Sequence, residues 1–343
     1  MVPNPSLHDV AIAAGVSDST ASRALRGVGR VSPSTRRRVE DAAKSLHFSL
    51  SRTASSLASG RTMRIPVLFV RPVNTWFNAS VLEGCRQALA PHGYDVVPIV
   101  ADKRDRFDEF FEGLPGNRNA DAIIVCSVRI DERQSEALRQ LTIPAIGLDS
   151  SSSDGFDASV RLDENAAMED ALRLLLSLGH RRIGYATAPE PEGFSFSAQL
   201  RRDAFIHAAE RLGLDAGDVV VYDVDSLEHY RSQEEAMGTV ATRIVSDGSR
   251  PTALCAVSDE IAMMLMAHLK RLGVSVPDDL SVVGFDDSAL APIAGLTSLH
   301  QNPLEMGRRC GQMALTLMRG EALDAPHEVL RPTVIARGST RRI

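Results

Sequence analysis

The sequence predicts a small all-α helix-turn-helix head joined to a larger α/β body of two lobes. Two observations lead to this prediction. Three short helical patterns fill the first 50 residues, and apolar runs alternate with amphipathic helices from residue 63 to residue 343. We therefore predict a helix-turn-helix domain over 1–50, a hinge helix or linker over 51–62 and a body over 63–343. This division agrees with a length of 343 residues at roughly 150 residues per domain.

The first two helical patterns have clear boundary signals. Ser6 and Asp9 have the spacing of a capping box, in which each side chain binds a backbone amide at the start of a helix. Gly15 ends this first helix, because glycine readily adopts the left-handed conformation of a helix terminus. Ser17 can cap a second helix that runs to about Leu25. Two short helices around a glycine-containing turn are typical of a helix-turn-helix motif.

The second helix has two different faces. On a helical wheel, five polar residues fall within an arc of about 140°: Asp18, Ser19, Ser22, Arg23 and Arg26. The opposite side carries Thr20, Ala21, Ala24 and Leu25. Arginine, aspartate and serine side chains can bind base edges in a DNA groove. An ordinary solvated amphipathic helix explains the same pattern, and the wheel alone does not separate the two interpretations.

A third helix is predicted to begin at Ser32, which can cap it, with Pro33 at the first helical position. Arg36, Arg37 and Arg38 lie near its N-terminus, where the helix dipole disfavours positive charge. A phosphate partner would offset this unfavourable placement, whereas a solvated run of charges is the alternative.

The segment after the third helix is rich in Ser and Ala, ends at Gly60 and contains one large apolar residue, Leu57. A helix of this length is marginal in water. The segment is therefore either a plain linker between domains or a helix that forms only when it docks.

The formal charge is divided unevenly along the chain. The whole chain carries −6, which by itself disfavours a polyanionic partner. Residues 1–62 contain nine Lys and Arg but only four Asp and Glu, so this segment carries +5 and the remaining residues carry −11. A small basic head on a large acidic body is the asymmetry expected of a nucleic-acid-binding module fused to another domain.

Composition and missing motifs argue against several classes of protein. The four cysteines have no CxxC spacing, which disfavours a disulfide scaffold or a zinc site and favours the reducing cytoplasm. The N-terminus lacks the features of a secretory leader, and no apolar run approaches the ~20 residues that a membrane span needs. The sequence contains no G-x-S-x-G elbow, P-loop, HExxH or post-strand GxGxxG, so we expect no catalytic residues, no cofactor and no metal.

Seven apolar runs in the body have the composition of strands: Ile65–Val70, Val96–Val100, Ala122–Val128, Ile183–Ala186, Val219–Tyr222, Leu254–Val257 and Val282–Phe285. Helical patterns such as Ala166–Leu178 and Ile261–Leu272 lie between them. Continuous apolar strands that alternate with helices indicate parallel sheets covered on both faces. The body is too long for one open sheet, so we predict two lobes. A site between them would lie at the carboxyl ends of the strands.

Several segments of the head follow a known family in order and without gaps: Leu7–Ala11, Ala13–Ser17, Thr20–Leu25, Val31–Pro33 with Thr35–Arg36, and Ala54 with Leu57 in the hinge. In these segments the chain closely resembles the LacI/GalR family of transcriptional regulators, whose second helix enters the major groove of DNA. Where the family commonly has Gly-Tyr-x-Pro-Asn before the hinge, this chain has His47–Ser51 and no proline.

The resemblance implies functions for the polar residues of the head. Asp18, Ser19 and Arg23 would contact bases. Thr20 and Ser22 would lie at or beside the DNA backbone. Ser17 and Arg26, at the two ends of the same helix, complete the predicted DNA-binding set in this helix. Leu57 would open a minor-groove step as a wedge.

The resemblance continues through nearly the whole body. It is carried by Asp121–Ile124, Ile143–Ala145, Leu178–Ile183, Pro251–Ala253, Val276–Asp287 and Arg337–Thr340. It implies two Rossmann-like lobes of the periplasmic-binding-protein type, joined by three crossovers. The residues that it implies as contacts to a small-molecule effector are Asn74, Trp76, Phe77, Asp149, Arg201, Ser258 and Asp286.

Some of these residues have simpler explanations. Trp76, the only tryptophan, could pack in the core, and Arg201 could form a surface salt bridge. Asp286 and Asp287 could merely cap a turn. Ser258 stands where many family members have asparagine, a longer hydrogen-bonding side chain.

Head and body together predict a ligand-responsive transcriptional repressor that binds double-stranded DNA. We expect a homodimer on a pseudo-palindromic operator, because a twofold protein matches a twofold site. The predicted effector is a sugar or sugar derivative, and no membrane partner is expected. The alternative is a solute-binding protein with the same body and no DNA function, which the helix-turn-helix and the missing leader argue against.

Overall fold

The structure is a computed structural model that describes residues 5–26, 29–48, 61–114, 119–189, 194, 197–224 and 226–343. The described residues divide into two compact units, one within Met1–Met63 and the other within Arg64–Ile343. Only Arg61 and Thr62 of the predicted hinge belong to them. The predictions for Leu57 and for the boundary at residue 50 therefore lie outside the described residues.

Three helices form the smaller unit: α1 Leu7–Ala14, α2 Asp18–Arg26 and α3 Pro33–Ser45. The predicted capping box is confirmed, because the Asp9 amide donates to the Ser6 hydroxyl and the Ser6 amide donates to the Asp9 carboxylate at 2.8 Å. Gly15 ends α1 in the left-handed region with a φ of 63°. Ser32 caps α3 as predicted.

Small apolar side chains hold these helices together. The buried core consists of Val10, Ala11, Ala14, Ala21, Ala24, Val39, Ala42 and Ala43. Ala21 and Ala24, on the predicted apolar side of α2, are buried. Since alanine adds little volume, α2 can pack tightly against its neighbours and present its other side outward.

The first lobe of the body is a parallel sheet with helices on its faces. Its described strands are β1 Arg64–Phe69, β2 Asp95–Val100, β3 Ile123–Cys126, β4 Ala145–Leu148, β5 Ala158–Leu162 and β11 His327–Leu330. Its described helices are α4 Trp76–Leu89, α5 Arg104–Gly113, α6 Glu132–Arg139 and α11 Pro303–Met318. The strand order is β11-β5-β4-β3-β1-β2, and each pair of neighbours is parallel.

The second lobe repeats this plan with one antiparallel edge. Its described strands are β6 Ile183–Ala186, β7 Val219–Tyr222, β8 Ala253–Ala256, β9 Ser281–Asp286, β10 Thr297–His300 and β12 Thr333–Ile335. Its described helices are α7 Glu164–Ser177, α8 Ser197–Arg211, α9 Gln233–Ser246 and α10 Asp259–Arg271. The order is β12-β10-β9-β8-β6-β7, with only β12 antiparallel to its neighbour.

The chain passes between the lobes at three places in the described residues. It leaves the first lobe from β5 to α7, returns from β10 to α11, and leaves again from β11 to β12. The expectation of two lobes with three crossovers is therefore confirmed. All seven predicted strands are present, with ends shifted by at most two residues.

The predicted apolar runs did not include the almost wholly buried strands β4 and β5, and they also missed β10, β11 and β12. Strand β10 contains two polar residues, Thr297 and Ser298, that are fully buried. Their burial is tolerated because the Thr297 hydroxyl donates to the Arg337 carbonyl oxygen and the Ser298 hydroxyl donates to the Asp259 carboxylate. Strands β11 and β12 are short, half-exposed edge strands that lack a continuous apolar run. Tertiary pairing, not local sequence, makes β10, β11 and β12 strands.

Helices α4 and α11 cross closely in the first lobe because glycine lies at the contact. A Cβ atom on Gly307 of α11 would collide with the carbonyl oxygen of Val81 in α4, and one on Gly84 would collide with that of Leu304. This crossing fixes the position of α4. The first turn of α4 carries two of the predicted effector residues, Trp76 and Phe77.

Candidate functional site

The outward side of α2 presents a continuous set of polar groups. Asp18, Ser19 and Arg23 are exposed, as is Ser17 just before the helix. Thr20 and Ser22 are half-buried, and α2 ends at Arg26, whose side chain is not among the described ones. The structure therefore places the predicted base-contacting residues on one exposed face.

Local hydrogen bonds order this face. The Ser17 hydroxyl lies 3.1 Å from that of Ser19 and 3.0 Å from that of Thr20. The Nε of Arg23 donates to the backbone oxygen of Ser19 at 3.2 Å, which holds the arginine stem against the helix. The terminal nitrogens of the guanidinium extend beyond this bond and can bind a partner bidentately.

A contact that the sequence did not indicate joins α1 to this face. Nδ1 of His8 lies 3.1 Å from Oδ1 and 3.3 Å from Oδ2 of Asp18. No spacing rule connects two residues on different helices, so only the tertiary structure shows this pair.

A cleft of about 630 Å³ lies between the two lobes of the body. This volume suits a small-molecule ligand. All seven predicted effector residues are among those that line it: Asn74, Trp76, Phe77, Asp149, Arg201, Ser258 and Asp286. Ser127, Glu260 and Gln301 also line the cleft.

Polar residues at the carboxyl ends of strands contribute the acceptors of the cleft. Ser127 follows β3, Asp149 follows β4 and Asp286 ends β9, and all three have a positive φ, at 55°, 50° and 126°. Such backbone conformations are costly for residues other than glycine and cluster at functional sites. The Ser127 hydroxyl donates to the Asp149 carboxylate at 2.5 Å.

Arg201 is buried at the base of the cleft and is not the surface salt bridge of the simpler interpretation. Its Nε and Nη2 donate to the two carboxylate oxygens of Glu164, each at 2.9 Å, and the side chains of this pair are only 6% and 7% exposed. Its Nη1 donates to the Val257 carbonyl at 2.5 Å, and the guanidinium lies 3.3 Å above the centre of the Phe285 ring. Burial opposes the positive charge, but the Glu164 carboxylate outweighs it and raises the pKa of Arg201.

Asp286 lies in the second wall of the cleft. Burial raises the pKa of its carboxyl group to about 7, although the nearby Arg201 charge acts in the opposite direction. Nε2 of Gln301, in the crossover from β10 to α11, donates to its Oδ1 at 2.5 Å. The carboxylate of the neighbouring Asp287 accepts from Arg337 Nη2 at 2.5 Å and lies 3.0 Å from Nδ1 of His300. Asp287 therefore links the ends of strands.

The remaining predicted residues differ in exposure and in bonding. Trp76 and Phe77 begin α4 and are half-buried, so neither is a residue of the closed core. Asn74 is exposed. Ser258 caps α10, since its hydroxyl accepts from the Ile261 amide at 3.3 Å, and its own O–H can still be donated into the cleft.

The sequence reasoning missed Ser127, Glu164 and Gln301. Ser127 had a signal, because it is a polar residue directly after an apolar strand. Glu164 had none, since its partner Arg201 is 37 residues away on another helix. Gln301 belongs to a crossover, whose contacts depend on how both lobes pack.

Other features of the described residues bear on the chemistry of the body. The four cysteines are buried and unpaired, and burial raises the pKa of the Cys85 and Cys255 thiols to about 12, which makes them poor nucleophiles.

Among the described residues, no group of three His, Cys, Asp or Glu side chains could hold a metal ion. No helix in the described ranges is long and apolar enough to cross a membrane.

Comparisons with known proteins match both parts of the chain. The profile "Bacterial regulatory proteins, lacI family" matches residues 6–50, and the profile "Periplasmic binding protein-like domain" matches residues 172–340. The HTH-type transcriptional regulator MalR of Streptomyces coelicolor is 30% identical over 346 residues, which cover 97% of this chain and 96% of that protein. The chain belongs to the lacI family of bacterial regulatory proteins.

Solved structures of lacI-family proteins share the fold along the whole chain. The lac repressor dimer bound to operator and an anti-inducer has a TM-score of 0.83 at 22% identity, covering 99% of this chain and 100% of that one. The complex of the regulator CelR with cellobiose has a TM-score of 0.68 at 23% identity, covering 98% and 99%.

Family membership identifies the protein as a DNA-binding transcriptional regulator of the LacI type, with a head that binds DNA and a body that binds an effector. The alternative of a solute-binding protein without DNA function is rejected, because the lacI-family match includes the helix-turn-helix. Relatives that contain both parts are transcription regulators.

Proposed function

We propose that α2 reads the operator in the major groove through Asp18, Ser19 and Arg23. The observation that carries this proposal is the exposed polar face of α2 above the buried Ala21 and Ala24. Arginine pairs bidentately with guanine, and aspartate accepts from cytosine N4. Ser17, Thr20, Ser22 and Arg26 support this face at or beside the DNA backbone. Leu57 acts as the minor-groove wedge of the hinge.

Replacement of Arg23 by Ala tests the base-reading function. We expect operator affinity to fall by about 1–3 kcal/mol, with relaxed preference at one base position, because a bidentate contact to a base edge is lost. The measurement is fluorescence anisotropy with a duplex that the full-length chain selects from a randomised library, and with single-base variants of that duplex.

Arg37→Ala is the matched control for this experiment. Arg37 is exposed near the start of α3, and we place it among the phosphate contacts. Its loss should weaken binding to all duplexes equally. The slope of log affinity against log salt concentration should become smaller by about one. If Arg23→Ala leaves discrimination between base variants unchanged, Arg23 does not read bases.

We further propose that the chain acts in the cytoplasm as a homodimeric repressor without catalytic activity. The known lac repressor dimer on its operator supports a twofold arrangement, in which two heads meet a pseudo-palindromic site. An effector that binds one closure state of the lobes more tightly than the other favours that state. Operator affinity can then change by no more than the ratio of the effector's affinities for the two states.

We propose that the effector is an uncharged polyhydroxy compound, such as a sugar, held between the lobes. The charges of the cleft support this class. Glu164 already neutralises Arg201. Arg71 also lines the cleft, but Asp149 and Asp286 add carboxyl groups that can accept hydrogen bonds from hydroxyl groups. Glu260 adds a further negative group at the rim. The structural likeness to CelR, which was solved with cellobiose, supports the same class.

A thermal-shift series of matched ligands tests this proposal on the full chain. The series contains cellobiose, glucose, glucosamine, glucuronate and glucose 6-phosphate, with other neutral sugars added to the same plate. A neutral ligand at about 100 times its Kd should raise the Tm by roughly 5 °C or more, because only the native cleft binds it. A rise with an anionic member alone would show that the assigned class is wrong.

A further inference from the structure

A second cavity, of about 490 Å³, adjoins the cleft on the side of the second lobe. Ala188 and Val257 line both spaces. Val257 directly follows β8, and Ala188 lies two residues after β6, which is the neighbour of β8 in the sheet. The two spaces therefore meet at the carboxyl edge of this sheet, where open α/β sheets bind ligands. The volume of the second cavity also falls within the range of small-molecule sites.

The second cavity continues along this edge from β6 to β7. Asp223 directly follows β7, and both Asp223 and Val224 line the second cavity. Helix α8 contributes to both spaces, because Arg201 lines the cleft and the next residue, Arg202, lines the second cavity. Consecutive residues of a helix point about 100° apart, so one turn of α8 can supply a side chain to each space.

The charged groups of the second cavity have an excess of negative charge. Among the described residues, its charged lining residues are Arg202, Asp203 and Asp223. Nε and Nη2 of Arg202 donate to the two carboxylate oxygens of Asp223 at 3.0 and 2.9 Å, and Nη1 donates to Asp203 at 3.3 Å. Both carboxylates are more than half exposed, and each oxygen can accept more than one hydrogen bond. This balance favours a ligand with hydroxyl donors over an anion.

An aromatic side chain adds an apolar surface to the second cavity. Phe194, between β6 and α8, lines this cavity and is itself buried in the apolar core of the first lobe. Its ring centre lies 5.4 Å from that of Phe107 in α5, with the ring planes at 88°. This edge-to-face arrangement is favourable for aromatic pairs, so the first lobe holds Phe194 in place. Carboxylate acceptors together with an aromatic ring suit a sugar unit, which presents hydroxyl groups and C–H groups to its site.

We infer that the effector is a glycoside of at least two sugar units, with one unit in the cleft and the next in the second cavity. This inference rests on the proposed sugar effector and adds its length and a second subsite. Asp203 and Asp223 accept hydrogen bonds from hydroxyl groups of the second unit, and Phe194 packs against its C–H groups. A monosaccharide in the cleft gains none of these contacts.

Isothermal titration calorimetry on the full-length chain tests this inference with matched monosaccharides and disaccharides. The probes are glucose, galactose and mannose, and the disaccharides cellobiose, maltose, lactose and mannobiose. The disaccharide that fits should bind about tenfold or more tightly than the monosaccharide it contains, because the second unit adds contacts within the same ligand.

Two variants assign this gain to the second cavity. Val224→Trp introduces a large side chain at a half-buried lining position and should abolish the gain, so that both ligand lengths bind with similar affinity. Asp203→Ala removes an exposed acceptor and should weaken disaccharide binding by about threefold to tenfold. Monosaccharide affinity should stay unchanged in both. Asp215→Ala is the matched control, because Asp215 is exposed on the same lobe and is not a lining residue; it should leave every affinity unchanged.

The outcomes separate this inference from the proposed sugar effector. If a monosaccharide binds and its disaccharides bind no more tightly, the second subsite is wrong and the sugar class stands. A disaccharide gain that survives both Val224→Trp and Asp203→Ala also overturns the second subsite. If neither the monosaccharides nor the disaccharides bind, the sugar class and the inference fail together.

Discussion

The Glu164→Ala variant should unfold with a free energy about 3–5 kcal/mol below that of the wild type. Glu164 is the carboxylate partner of the buried Arg201, with both hydrogen bonds at 2.9 Å. Its removal takes away the hydrogen-bonded counter-ion of a guanidinium inside the body, and breaking a buried ion pair on one side is strongly destabilising. Urea unfolding, followed by circular dichroism, measures the loss.

Two further variants show whether burial is the cause. Asp170 binds Arg331 bidentately, with the shortest distance 2.8 Å, but Arg331 is 64% exposed. Asp170→Ala should therefore cost no more than about 1 kcal/mol. Glu164→Gln keeps the shape of the side chain and one acceptor, so its loss should lie between the two. Equal losses in Glu164→Ala and Asp170→Ala would contradict the argument from burial.

The Gly307→Ala variant should lose about 1–3 kcal/mol or more of stability, although alanine ordinarily favours a helix over glycine by about 1 kcal/mol. The added methyl group would collide with the Val81 carbonyl, which belongs to the backbone and cannot rotate away. Helix α4 must therefore move from α11, and Trp76 at its start moves with it. Urea unfolding measures the loss, and the fluorescence of this single tryptophan reports the displacement.

Gly113→Ala is the matched control. Gly113 is the last residue of α5, and an added Cβ there meets nothing within 4 Å. Its stability should stay the same or rise slightly, with unchanged tryptophan emission. If Gly307→Ala behaves in the same way, the close crossing of α4 and α11 does not limit the position of α4.

The predicted features of the fold depend on local patterns. The capping box at Ser6, the proline start of α3 and the apolar runs of the body each specify their element through interactions a few residues apart. The wheel of α2 placed Ala21 and Ala24 inside because a helix fixes which side chains share a face. The apolar runs did not identify β4 or β5, and they failed for β10 to β12, whose strand conformation depends on pairing with distant segments.

For the sites, the sequence by itself determined which residues are chemically suited to them. Asp149, Ser258 and Asp286 follow or end strands, so parallel topology brings them to one cleft. Only the tertiary structure decided how their charges are balanced. Glu164 with Arg201 and His8 with Asp18 join different helices, and no pattern along the chain encodes such pairs. The physical reason is that electrostatic energy depends on distance and burial in space, which separation in sequence does not specify.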